Sequence, residues 1–203
     1  MGEPRLVSVD SETLLFPPAV MAALADVFSN SGIIVSGRYY GADSHTLTLA
    51  TIADGTCMAI PIWTSSAATF NRIAVEVTTA VAAANLRMGI YLNDPARDAP
   101  GALLAEAGTI SAATVGVKEL TISQSLEAGL HWLAVVAQGG APNMRVLAGS
   151  LAPVTATAFW ATTAAADPNC YTMTGVTGGL PGTWSTAALQ VSPSGPKVML
   201  RAA

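Results

Sequence analysis

Charge is the first thing this chain lacks. Asp, Glu, Lys and Arg make up 11% of its 203 residues, well below the quarter usual for a globular chain. The nine Lys and Arg are scattered, so the basic stripe that holds a nucleic-acid backbone is missing. Arg38 beside Tyr39 and Tyr40 is the nearest approach to one, and a single arginine makes no groove. Histidine is scarcer still, with only His45 and His131. There is no HExxH run and no paired His–Cys set, and the two cysteines, Cys57 and Cys170, lie too far apart for a local metal knuckle. No metal is expected. The glycines of "TGVTGGLPG" come without a lysine, and no GxSxG turn occurs, so no nucleotide or other cofactor is expected either. The apolar runs are too short for a membrane span. The start, "MGEPRLVSVDSETLLFPP", carries acids early and no apolar centre, unlike a secretory signal. Met1-Gly2 is followed by Arg5 and then Leu6, without the Ser or Thr that an acylation signal wants there.

What is present is hydrophobic and small. Hydrophobic residues make up 51% of the chain, much of it alanine, and the net charge is -4. A surface of Ser, Thr, Gly, Asn and Ala suits a packed particle or a stable assembly. The length supports one substantial core, or one core plus a small appendage. Cys57 and Cys170 are open to two readings, a disulfide or a reduced, buried pair.

Periodicity divides the chain near residue 35. Pro17 and Pro18 suit a helix start, and Met21, Leu24, Ala25 and Phe28 then recur at helical spacing. The spacing predicts a short helix over 18–28, with Met21, Leu24 and Phe28 as an attachment face; alone it would be marginal in water. Beyond it the period becomes two. Ile73, Val75 and Val77 alternate with Arg72, Ala74 and Glu76; Leu86, Met88, Ile90 and Leu92 alternate with Arg87, Gly89 and Tyr91. Leu120 and Ile122 oppose Glu119 and Thr121, while "HWLAVV" is apolar on both faces, the mark of a central strand. Pro61 in "TCMAIPIWT" points to an edge or a bulge, "ADG" at 53–55 to a turn, and "TTAVAAAN" to a loop. Residues 152–185 read as long loops with brief strands. Strands at such intervals, broken by Gly, Pro, Asn and Asp, predict an all-β antiparallel sandwich over 36–203, with 1–35 as an attachment or oligomerisation segment.

The stretch "GIYLNDPARDAPGALLAEAGTI" holds the candidate ligand residues Tyr91, Asp94, Arg97 and Asp98. Tyr91 is expected on the more exposed face, beside carboxylates and an arginine, as a surface on which a sugar ring could stack. Trp63 and Trp132 are expected in the core. Asp94, Asp98 and Glu106 have the chemistry of glycosidase acids, which must face one another across a cleft, and Asp94 with Asp98 that of a calcium loop. The competing account is structural: Asp94-Pro95 and Pro100-Gly101 form turns, and Arg97 pairs with an aspartate.

Taken in order, the "TTA" strand end, the "RMGIY" strand, the loop closing on "PGALLAEAG", the "GVKELTI" strand and the aromatic "HWLAVV" strand resemble a module of tailed-phage and prophage structural proteins. That module is similar to jelly-roll carbohydrate-binding folds. The likeness spans about residues 55 to 150, and "LPGTWS" and "GPKVMLR" resemble the end of the same kind of protein. It implies a jelly-roll-like antiparallel β-sandwich, no enzymatic activity and a place on the virion surface, on head or tail. It further implies a homotrimer or other symmetric assembly, contacts with other phage virion proteins, and a host-surface glycan as ligand. Little fibre precedes the module, which favours a short fibre or spike, or a head or tail decoration, over a long host-reaching tail fibre. A purely structural decoration (cement) protein is the alternative, and a glycan-degrading enzyme a more distant one.

Overall fold

The computed structural model describes residues 34–42, 44–151, 170–185 and 190–203. The expected N-terminal helix, with Met21, Leu24 and Phe28, lies outside the described residues. Those described form thirteen strands. The first nine are β1 (Tyr39–Tyr40), β2 (Ser44–Thr51), β3 (Cys57–Thr64), β4 (Ala68–Thr79), β5 (Asn85–Asp94), β6 (Ala99–Ser111), β7 (Gly116–Leu126), β8 (Gly129–Gln138) and β9 (Asn143–Leu151). Four short ones follow: β10 (Cys170–Met173), β11 (Gln190–Ser192), β12 (Ser194–Pro196) and β13 (Met199–Ala202).

The strands form two antiparallel sheets, a β-sandwich. In the first, β7 runs along one side of β4 from Ala68 to Val77. The other side of β4 is shared between β13, which carries β1, and the start of β9. β2 then pairs along the far side of β9, and β12 takes up the rest of its near side. The second sheet has the order β11-β10-β3-β8-β5-β6. The pairing from β2 to β9 is nested. β2 joins β9, β3 joins β8, β4 joins β7 and β5 joins β6, alternating between the two sheets.

The period-two pattern explains which faces meet. Ile73, Val75 and Val77 of β4 enter the space between the sheets, with Met144 and Val146 of β9. Leu86, Met88 and Ile90 of β5 and Leu133 and Val135 of β8 meet them from the second sheet. On β7, Leu120 and Ile122 pack against this core while Glu119 and Thr121 face water. β8 is central, as its two apolar faces require: β3 and β5 flank it, and it is buried from His131 to Ala137. Pro61 sits where the missing N–H is tolerated. β10 pairs with β3 only over Cys57–Ala59 and leaves the later half of β3 without a described partner on that side. The segment 80–84 is a turn, and the "ADG" stretch reverses the chain with Gly55 at φ 70°.

Several expectations change. His45, whose polar surroundings "GADSHT" read from sequence as an exposed loop, lies in β2. The "ALLAEAGTI" piece, which reads from sequence as a short segment, belongs to the thirteen-residue β6, and "GPKVMLRAA", which reads as one last strand, holds the end of β12 and all of β13. Leu92, grouped with the core face of β5, is 40% exposed at the end of the run.

The second sheet also has a core on its outer face. Cys57, Ala59, Tyr91, Trp132, Ala134 and Val136 are covered there by Val176, Leu180 and Trp184. A strap over residues 175–184 supplies this cover. It starts at Gly55, whose carbonyl accepts from Val176 N at 2.9 Å, and ends on β6, where Trp184 N donates to Gly101 O at 2.9 Å. Gly89 is a notch beneath it: a Cβ there would lie 2.5 Å from Leu180 Cδ1 and 2.7 Å from Ala105 O.

Candidate functional site

The aspartate stretch folds as a tight hairpin between β5 and β6. Arg97 N donates to Asp94 O at 3.1 Å, closing a four-residue turn, and the Asp94 carboxylate accepts from Ala96 N at 3.0 Å. Its other oxygen takes the Arg97 guanidinium at 2.7 Å. Asp98 follows at φ 47°, the left-handed conformation that lets the chain re-enter the ladder at Ala99 opposite Asp94. The loop thus spends Asp94 and Arg97 on each other and on its own backbone. Asp98 stays exposed, with Asn93 Nδ2 at 3.4 Å. Among the described residues no group of three metal-ligating side chains comes together.

Tyr91 is corrected. The expected stacking surface is fully buried, 0% exposed. Its ring meets the edge of Trp184 at 5.4 Å and 89°, and its hydroxyl donates to Pro181 O at 2.8 Å. Burial, together with the nearby Cys57 and Glu106, pushes the phenol well above its usual range. β5 does alternate between two faces, but its second face is also covered, by the strap. Trp63 is corrected in the opposite direction. It is 41% exposed on the outer face of β3, paired with half-buried Leu130 of β8. Trp132 is core as expected, its indole N–H donating to Asn93 Oδ1 at 2.9 Å and its ring meeting Tyr171 at 5.2 Å.

Glu106 does not face the acids of the hairpin. Glu106 lies opposite Gly89, five residues along β5 from Asp94, roughly 16 Å at strand rise. That exceeds the separations of glycosidase carboxylates, and Glu106 is held by the Arg87 guanidinium.

Cys57 and Cys170 are free and buried. Cys57 lies in the outer cluster and Cys170 in the core between the sheets, so their side chains leave the second sheet from opposite faces. Burial raises both thiols to about 12. His131 is buried as a strand histidine next to Trp132, with Nδ1 lacking a hydrogen-bond partner, and desolvation lowers its pKa.

No family model matches the chain. No curated protein matches it either. Among solved structures it is similar to a chain in the structure of infectious bursal disease virus Gx strain, at 15% identity and a TM-score of 0.29. That alignment covers 82% of this chain and 36% of the other, so the chain spans little more than a third of the protein it resembles. A likeness of this size carries no weight for function.

Sequence reading missed the strap. Its signal was present in Val176, Leu180 and Trp184, three apolar residues at intervals of four in a glycine-rich run. Neither strand nor helix chemistry makes such a run recognisable, because its partners lie elsewhere in the chain.

Proposed function

We propose that this chain is a non-enzymatic structural protein of a virus particle, of tailed-phage type, acting in assembly at the head or tail surface, and that its sandwich is a jelly roll. The observation that carries the reading is the nested antiparallel pairing of β2·β9, β3·β8, β4·β7 and β5·β6 across two sheets. A long hairpin wound on itself in this way is the jelly-roll plan, which viral capsid and lectin domains use. The low charge and small polar surface support assembly. So does the aspartate hairpin, whose Asp94 and Arg97 are paired with each other. The test is proteomics and cryo-electron microscopy of purified particles. The expected result is a fixed copy number of the chain at one position on head or tail. Absence of the chain from the particle would overturn the reading.

A second reading, recognition of a host-surface glycan, is favoured by Trp63 in place of Tyr91. An indole face exposed by 41% beside Leu130 offers a sugar ring a stacking surface. A glycan array should then show binding that Trp63→Ala abolishes and Asp94→Ala leaves in place. An array without signal, or one indifferent to Trp63→Ala, would remove this reading.

A further inference from the structure

The two outer faces of the sandwich differ. The second sheet is roofed by the strap. The first sheet carries Tyr39 (43% exposed), Leu49 (52%) and Val117 (67%), with Val115 (63%) in the turn before β7. Register places four side chains in one row across this face. Leu49 of β2 is opposite Arg145 of β9. Arg145 grips Glu76 of β4, Nε to Oε2 at 3.0 Å and Nη2 to Oε1 at 3.3 Å. Glu76 is opposite Val117 of β7. The row therefore reads apolar, positive, negative, apolar, over roughly 14 Å at the spacing of neighbouring strands.

Such a row is complementary to itself when turned end for end. We propose that this face packs against the same face of a second copy, about a two-fold axis that runs along the strands between Arg145 and Glu76. Each Arg145 then meets Glu76 of the other copy, and each Leu49 meets Val117. A two-fold contact requires one patch to match itself, and aligned sheet-on-sheet stacking at about 10 Å is an ordinary packing mode. The donors for the contact are available. Arginine has five N–H groups, and Arg145 gives two of them to its own Glu76. Both side chains stay part-exposed, at 36% and 40%, within reach of a second partner. The contact uses the face and not the edge: among the described residues β7 pairs only with β4, and it turns a buried lysine inward, Lys118 Nζ donating to Thr114 Oγ1 at 2.6 Å, a charge that opposes edge-to-edge pairing. The inference goes beyond the virion reading and does not depend on it.

Sedimentation velocity of the full chain, from low to high micromolar, tests the proposal, with circular dichroism to establish that each variant is folded. The wild-type chain should form dimers. Glu76→Arg and Arg145→Glu should each weaken self-association by about tenfold or more, because like charges then face each other across the axis. Mixing the two single variants should restore dimers, since each supplies the charge that the other lacks, and the double variant E76R/R145E should dimerise alone. A wild-type chain that stays monomeric overturns the proposal. So does a dimer or trimer that the single variants leave unchanged, or a mixture of folded single variants that gains no association.

Discussion

Tyr91 and Pro181 are 90 residues apart in sequence and joined by a hydrogen bond of 2.8 Å, the phenol donating to the proline carbonyl. The bond ties β5 of the second sheet to the strap that covers it. Tyr91→Phe keeps the ring and its contact with Trp184 but loses this bond. The expected cost is about 1 kcal/mol, measured by denaturant unfolding. Trp184→Ala removes the cover itself and should cost about 3–5 kcal/mol, with proteolytic cleavage appearing within 175–184 before global unfolding. Equal, negligible losses in both variants would mean that the strap does not close this face.

The aspartate hairpin should behave as a turn. Asp98 holds a positive φ of 47°, which glycine adopts without a steric penalty. Asp98→Gly should therefore leave stability unchanged or raise it by up to about 1 kcal/mol. Asp98→Val should lower it, by about 1–2 kcal/mol. Asp94→Ala should cost about 1 kcal/mol through loss of the Ala96 N–H contact. A melting temperature that calcium raises and Asp94→Ala makes indifferent to calcium would contradict this account.

The two cysteines should be inert in the native protein. Both thiols are buried and held near 12, so almost no thiolate is present at neutral pH. A thiol reagent should label neither until denaturant is added, and then both. Native mass spectrometry showing the loss of two hydrogens from an internal disulfide would contradict their placement on opposite faces of one sheet.

His131 makes a pH prediction. Desolvation lowers its folded-state pKa below the ordinary 6.5, so the unfolded chain binds the extra proton first as pH falls. Stability is then full above about 6.5 and declines as pH drops toward the depressed folded value. In a comparison of unfolding free energy at neutral and mildly acidic pH, His131→Leu should flatten that decline. An unchanged slope would show that the imidazole does not drive it. The carboxylate of Glu76, held low by the Arg145 hydrogen bond, acts in a separate window below the ordinary carboxylate pKa.

The sandwich itself was legible in the sequence. A strand facing one core must alternate, and "RIAVEV" and "KELTI" do, so Ile73, Val75, Leu120 and Ile122 could be assigned to the core side before any pairing was known. A strand buried on both faces must be apolar throughout, and "HWLAVVA" is, which placed β8 at the centre. The reversal at Asp94–Asp98 follows from local turn chemistry alone.

Exposure on the outer faces was not legible, because period two says which residues share a face but not what covers that face. Tyr91 and Trp63 show the difference. Both alternate onto the outer side of the second sheet, yet one is sealed and the other open. The strap crosses over β5 and reaches β6, while the end of β3 lies beyond β10. The row Leu49–Arg145–Glu76–Val117 likewise takes its residues from four strands spread over much of the chain. Local alternation was thus determined by the sequence alone. What covers the second sheet, and what lines up across the first, was decided by contacts between distant segments, which only the tertiary structure specifies.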